Sequence, residues 1–293
     1  MATTSETSLT IGVLSALGVI VIWSGFIVIS RAGVTSGLTP YDVAALRFMM
    51  AGVVVLPFMW KWWPRHLPRY AQAIMALSGP GALYSILLYA GLSNASAAFG
   101  GVFSNGSLPI FTMLAMFFAA GERPGRLRLL AVGVIVAGGV MLSYSGLTRG
   151  GDDVMLGILL FLGSALIQSV YLVGVRLWRI TPREALALVS GSSALIFPPL
   201  WYVALPSTMD TAATSTIVFQ ALFQGLGPGF AAIMLFALMA RHLGPTPTAG
   251  VAAVVPATAA ILAVPALGEM PAPVEWVGIC VVTAGLFMML RGR

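Results

Sequence analysis

Nine carboxylates, two histidines and one cysteine bound the chemistry open to this chain. The acids are Glu6, Asp42, Glu122, Asp152, Asp153, Glu184, Asp210, Glu269 and Glu275, and each falls in a terminus, a polar stretch or the edge of an apolar run. Glu122 and Glu269 invite an acid–base reading. They hold matching places in Gly121-Glu122-Arg123-Pro124 and Gly268-Glu269-Met270-Pro271, each thirteen residues after a proline, Pro109 or Pro256. Two carboxylates brought together could divide the roles of general acid and general base. Beside Gly and just before Pro, each could instead accept hydrogen bonds from helix-start amides, a capping role.

Arg47 is the only ionic group well inside an apolar run. Such a charge could hold a substrate carboxylate. It lies only about two turns from the start of its run, at ~1.5 Å per residue, so its long side chain can snorkel or bond helix-end carbonyls. The structural role is preferred, as it is for Glu122 and Glu269. His66 and His242 lie in polar stretches, which leaves no imidazole relay within the apolar runs. Cys280 stands alone, so no intrachain disulfide or cysteine metal site is expected. No zinc motif, P-loop or serine elbow occurs, and no nucleophile has a base beside it. Neither an enzyme, a metal site nor a bound cofactor is predicted.

The elements that must position these residues follow from composition. The chain is 59% hydrophobic and 8% charged, with a mean hydropathy of +0.97; soluble proteins carry roughly 25% charged residues. The apolar runs are long and unbroken rather than alternating, which excludes a transmembrane β-barrel. An all-α integral membrane protein is predicted. A formal charge of +6 could suggest nucleic acid, but the basic residues sit in short loops between apolar runs, where a membrane explains them better. Apolar runs of about 20 residues with few or no charges, long enough to cross hydrocarbon, lie near 10–30, 41–60, 70–91, 96–120, 127–146, 154–175, 184–205, 214–240, 245–267 and 274–290. Residues 1–8 are polar and lack Lys and Arg, so a cleaved signal peptide is not expected. Thr148 to Asp153 reads as a linker between halves, giving a first five-helix repeat over 1–148 and a second over 149–293.

The halves echo each other. Gln72-Ala73 and Gly79-Pro80-Gly81 recur 148 positions on as Gln220-Ala221 and Gly227-Pro228-Gly229. Gly12, Leu14, Gly18, Ser24, Val28 and Arg31 recur 145 positions on as Gly157, Leu159, Gly163, Ser169, Val173 and Arg176, with Phe26 answered by Tyr171. Three blocks in one order indicate duplication. Basic residues give the orientation. With the N-terminus cytoplasmic, twelve Lys and Arg fall inside, at 61–69, 123–128, 176–183, 241 and 291–293, against Arg31 and Arg149 outside. Both termini are then cytoplasmic, and five spans per half make the repeats inverted. The duplicated loops agree: the Glu122 loop holds Arg123, Arg126 and Arg128, whereas its copy holds no basic residue before Arg291. On this topology Glu122 and Glu269 lie at opposite faces, about 30 Å apart or more, too far for a dyad.

Several runs resemble the drug/metabolite transporter superfamily and its EamA-type repeat. They are Leu88-Tyr89-Ala90-Gly91-Leu92 followed by Ala95-Ser96-Ala97-Ala98, Ala45-Leu46-Arg47-Phe48, the Gly-Glu-x-Pro loops, and the glycine-spaced last spans (Gly133, Gly138-Gly139; Gly278, Gly285). Together they cover both halves and are similar to the YddG-type branch associated with amino acids. The resemblance implies a bacterial inner-membrane exporter of small metabolites, foremost amino acids including aromatic ones, working by alternating access around a central apolar cavity. The alternative is a broad exporter of neutral or weakly charged toxic compounds, ahead of an integral-membrane enzyme or a channel. The expected partners are a small-molecule substrate and the bilayer; the chain is compatible with a monomer. Relatives that export lipophilic cations carry a first-span glutamate, whereas here that span reads Ile22-Trp23-Ser24-Gly25-Phe26, which disfavours proton-coupled cation export.

Facing positions near a mid-membrane two-fold axis are where such carriers bind substrate. Trp23, Tyr84, Leu88, Ser104, Asn105, Gln168 and Tyr171 are the predicted cavity residues. Gly79, Pro80, Gly81, Pro109, Gly227, Pro228, Gly229 and Pro256 are predicted to kink or hinge four spans at symmetric positions. Gly133, Gly138 and Gly139 are expected to allow close helix packing. Trp60, Trp62 and Trp63 read as an interfacial group.

Overall fold

The computed structural model describes residues 2–243 and 245–291, all helical or in short connections, with no strand among them. In the first half α1 spans Ala2–Thr35, α2 Pro40–Trp62, α3 Arg69–Leu77, α4 Ala82–Asn94, α5 Ala97–Gly100 and α6 Leu108–Ala120. α7, Arg126–Leu177, carries the chain into the second half. There α8 spans Pro182–Ala185, α9 Ser192–Ala204, α10 Thr214–Leu226, α11 Ala232–Leu243, α12 Pro245–Leu267 and α13 Pro273–Arg291. π-helical turns join α5 to α6 (Gly101–Gly106), α8 to α9 (Leu186–Gly191) and α10 to α11 (Gly227–Ala231). Eight helical stretches among the described residues are long and apolar enough to cross a membrane, and Val251–Leu267 is a shorter apolar helix. The span expected near 214–240 is divided by a π turn into helices of 13 and 12 residues, Thr214–Leu226 and Ala232–Leu243. Phe118, Tyr202 and Val203 project almost wholly outward, as lipid allows and water does not.

Local sequence explains the boundaries. α2 opens on Thr39 with Pro40 in its first turn, and Thr39 and Asp42 complete a reciprocal capping box. Thr181, Pro182 and Glu184 build the same device at α8. Gly121 closes α6 in the left-handed conformation, φ 66°.

Four expectations need correction. The loop predicted from Thr148 to Asp153 is absent: helix continues on both sides, and only Gly151 leaves it, at φ 64°, a conformation glycine reaches without strain. The third span is broken rather than bent. Between Leu77 and Ala82 the backbone is not helical; Gly79 sits at φ 70°, its amide donates to the Ile167 carbonyl at 3.3 Å, and an added Cβ would lie 2.6 Å from the Tyr171 ring. Its copy Gly227-Pro228-Gly229 stays helical as a π turn. Pro109 starts α6 rather than kinking a helix, whereas Pro256 lies inside α12. Finally, Gly133 has no neighbour within 4 Å of a built Cβ; the close α7–α13 approach across the halves comes at Gly138, which would meet the Gly278 carbonyl at 2.7 Å, and at Gly285, which would meet Ile135 N at 3.0 Å.

The largest apolar core lies between the halves. Phe48, Leu88, Tyr89 and Phe103 from the first pack with Phe161, Phe197, Ala259 and Ile279 from the second.

Candidate substrate cavity

A cavity of about 530 Å³ lies where α1, α2, α4 and α7 meet the π turns, within the size range of small-molecule sites, about 300–1,000 Å³. Trp23 and Phe26 come from α1, Arg47 from α2, Pro80 and Tyr84 from the broken third span, and Gln168 and Tyr171 from α7. Each π turn supplies a wall residue: Asn105, then Leu186, Val189 and Ser190, then Pro228. Such turns are rare and concentrate at functional sites because their wider winding redirects side chains. At one end the wall reaches Ile180 and Pro182, where Pro182 is exposed.

Of the residues expected here, Trp23, Tyr84, Asn105, Gln168 and Tyr171 stand on the wall and two do not. Leu88 is buried in the core between the halves. Ser104 is 2.8 Å from Ser164 of α7 and serves a helix–helix bond. Pro80 and Pro228 are wall residues as well as kinks.

Arg47 also lines the cavity, although it is only 6% exposed. It donates to Tyr89 Oη at 3.3 Å and the Pro80 carbonyl at 3.2 Å, and lies 5.1 Å from the Phe26 ring centre. Behind it runs a buried polar chain. Tyr89 Oη donates to Gln224 Oε1 at 3.1 Å, and Gln224 Nε2 donates to Ser30 Oγ at 2.9 Å and Gln220 Oε1 at 3.1 Å. Gln220 in turn donates to the Ile29 carbonyl at 2.7 Å. Tyr89, Gln220 and Gln224 went unnoticed as a group; the four-residue spacing of the glutamines was the available signal.

The paired glutamates do join to charge, each across the duplication. Arg31 Nε donates to Glu269 Oε1 at 2.6 Å, and Arg176 Nη2 donates to Glu122 Oε1 at 2.6 Å. Each half's arginine thus meets the other half's glutamate. Arg31 also donates to the Leu92 carbonyl, and Glu269 Oε2 caps Ala97 N at 2.9 Å, so that this glutamate serves a helix start in the opposite half. The side chains of Arg31 and Glu269 are 18% and 21% exposed, against 63% and 42% for Arg176 and Glu122.

A second symmetric contact was not anticipated. Thr39, Asp42 and His66 correspond to Thr181, Glu184 and Thr208, each 142 positions on. Asp42 is fully buried. Its Oδ2 accepts from Thr39 N at 3.0 Å, Thr208 N at 3.0 Å and Thr208 Oγ1 at 3.2 Å, and its Oδ1 from Trp201 Nε1 at 2.9 Å. At the matching place Glu184 accepts from Thr181 within its own cap, and His66 Nδ1 stands 3.5 Å away. One carboxylate is knotted to the opposite half; its copy is nearly free of it.

The EamA-like transporter family matches the chain twice, over residues 10–144 and 155–291. The chain is similar to the "Uncharacterized transporter YwfM" of Bacillus subtilis (strain 168), 26% identical over 255 residues, 86% of this chain and 84% of that protein. A solved structure titled "Crystal structure of protein" aligns over 94% of this chain and 95% of its own, with a TM-score of 0.65 at 20% identity. That last likeness concerns the fold alone.

Proposed function

The chain belongs to the EamA-like transporter family, and from that premise we propose that it is a ten-helix inner-membrane exporter of amino acids, aromatic ones included. Its two five-helix repeats, 1–148 and 149–293, lie inverted in the membrane with both termini cytoplasmic. The observation that carries the reading is the cavity between the halves, walled by Trp23, Tyr84 and Tyr171 with few polar groups. Counterflow in liposomes loaded with labelled amino acids tests it: exchange of phenylalanine supports the reading, and exchange of neutral toxic compounds without amino acids overturns it.

The unequal ends support alternating access. In an inverted-repeat carrier, the second state arises when each half adopts the conformation of the other. Exchange here would release Thr208 and Trp201 from Asp42 while the 63–67 turn closes on Glu184 at the Ile180–Pro182 mouth. The present state is then cytoplasm-open. The Arg–Glu pairs are formed at both ends, so they act as fixed pivots.

Topology is checked by labelling single cysteines, K61C and R149C, in a Cys280→Ser background. We expect reaction with an impermeant thiol reagent from opposite sides, because basic residues concentrate at the cytoplasmic face. Labelling of both from one side would sink the inverted arrangement.

Among the described residues no carboxylate or histidine stands on the cavity wall, the side chains whose ordinary pKa values would suit proton exchange with a substrate. Equilibrative exchange should therefore survive collapse of the proton gradient with an ionophore. A strict requirement for that gradient would show coupling through another group.

A further inference from the structure

We propose that this cavity recognises a carboxylate, with Arg47 as its anchor and Gln168 accepting from a donor on the neighbouring carbon of the same ligand. The proposal rests on the cavity being the transport site. It revises the purely structural role expected for Arg47.

Among the described residues Arg47 is the only charged one on the wall. A guanidinium carries five N–H donors; a tyrosine hydroxyl and one carbonyl, both neutral and beyond 3.1 Å, accept from it, and the Phe26 and Phe48 rings lie 5.1 and 5.8 Å from its Cζ. Among the described residues no carboxylate lies within ion-pair distance of it. Buried charges are ordinarily paired, so this wall carries an uncompensated positive charge inside an apolar setting. The break at Gly79-Pro80-Gly81 adds to it. There Gly81 offers α4 no cap of its own, the Ala82 amide donates to Ser193 Oγ at 3.0 Å, and Tyr84 of the first turn faces the same cavity; the positive end of the helix dipole thus lies beside Arg47. An anion is the complementary group, and a planar carboxylate fits the guanidinium fork.

The second group has opposite character. Gln168 lines the cavity, and its Oε1 is buried with no hydrogen-bond partner. Buried polar atoms are rarely left so, and rotation of the Gln168 amide towards the cavity it lines would let a ligand N–H or O–H satisfy this one. Carboxylate and donor together describe an α-amino or α-hydroxy acid. The apolar aromatic remainder of the wall suits an uncharged side chain. A lone amine would bring a cation to a site that already holds one.

The test uses the purified wild-type carrier, with intrinsic tryptophan fluorescence and ligand-induced melting shifts as readouts. Four probes share one phenyl ring: phenylalanine, 3-phenyllactate, phenylalaninamide and phenethylamine. Both acids should bind at least tenfold tighter than the amide and the amine. Arg47→Gln should remove that preference, whereas Arg47→Lys should keep part of it, and Gln168→Leu should weaken both acids. Equal binding of phenethylamine and phenylalanine overturns the proposal, as does failure of either acid to bind. The export reading fails separately: selective acid binding without phenylalanine counterflow would leave the carboxylate site standing and remove the exporter. Counterflow of phenylalanine and phenethylamine alike would keep the carrier and remove the Arg47 anchor.

Discussion

Asp42→Ala should expose the cavity to the outside and slow net transport at least tenfold. The variant leaves Trp201 Nε1, Thr208 N and Thr39 N without the acceptor they now share. An orphaned buried donor costs about 1–3 kcal/mol. These donors sit at a helix end, where water can reach some of them once the knot loosens, so we take about 2 kcal/mol in all. That is roughly thirtyfold in the balance of two states, since about 1.4 kcal/mol is tenfold. The readout is an Ala252→Cys cavity probe in a Cys280→Ser background, labelled by an impermeant thiol reagent added outside. Labelling should accelerate at least tenfold in Asp42→Ala and less in Asp42→Asn, which keeps one carbonyl acceptor. Glu184→Ala should act in the other direction, because Glu184 is needed only when the cytoplasmic end closes. If both variants shift labelling the same way, the two carboxylates are plain helix caps and the exchange between them is wrong.

The duplication was legible from residues alone; how its copies differ was not. Arg31, Arg176, Glu122 and Glu269 were all recognised as repeated, yet each arginine pairs with the other half's glutamate, a choice that only tertiary packing makes. Gly79-Pro80-Gly81 and Gly227-Pro228-Gly229 are one tripeptide with two outcomes. The first is held open by the Ile167 carbonyl and the Tyr171 ring, partners on a different helix that no local propensity encodes. Ser104 and Asn105 both read from the sequence as cavity residues. The π turn through Gly101–Gly106 sends Asn105 to the cavity, while Ser104 bonds Ser164; an α-helical period cannot foresee that. Thr-Pro-x-acid at 39–42 and 181–184 was readable, but its offset of 142 differs from the 145 to 148 of the other blocks, so it fell outside the repeat register.

Trp23→Ala and Tyr84→Ala should each weaken apparent affinity for phenylalanine about tenfold, and for threonine much less. Both rings stand on the cavity wall, Trp23 on α1 and Tyr84 just past the break in the third span. A stacked or edge-on aromatic pair contributes roughly 0.5–1.5 kcal/mol beyond area burial, and the upper figure is close to a factor of ten. Threonine offers no ring, so it loses only the small apolar contact. Tyr84 carries a further consequence: it is 7% exposed, so its truncation also enlarges the pocket and should admit bulkier solutes. Trp62→Ala serves as the control. Trp62 stacks on Phe58 near the end of α2, with ring centres 5.0 Å apart, and is absent from the cavity wall. Its loss should leave both affinities within about twofold, the range of surface changes near ±0.5 kcal/mol. Counterflow inhibition curves for the two amino acids, taken on variants that elute as monodisperse protein, give the four ratios needed. Equal effects at Trp23, Tyr84 and Trp62 would make the wall aromatics packing groups and move the substrate path elsewhere.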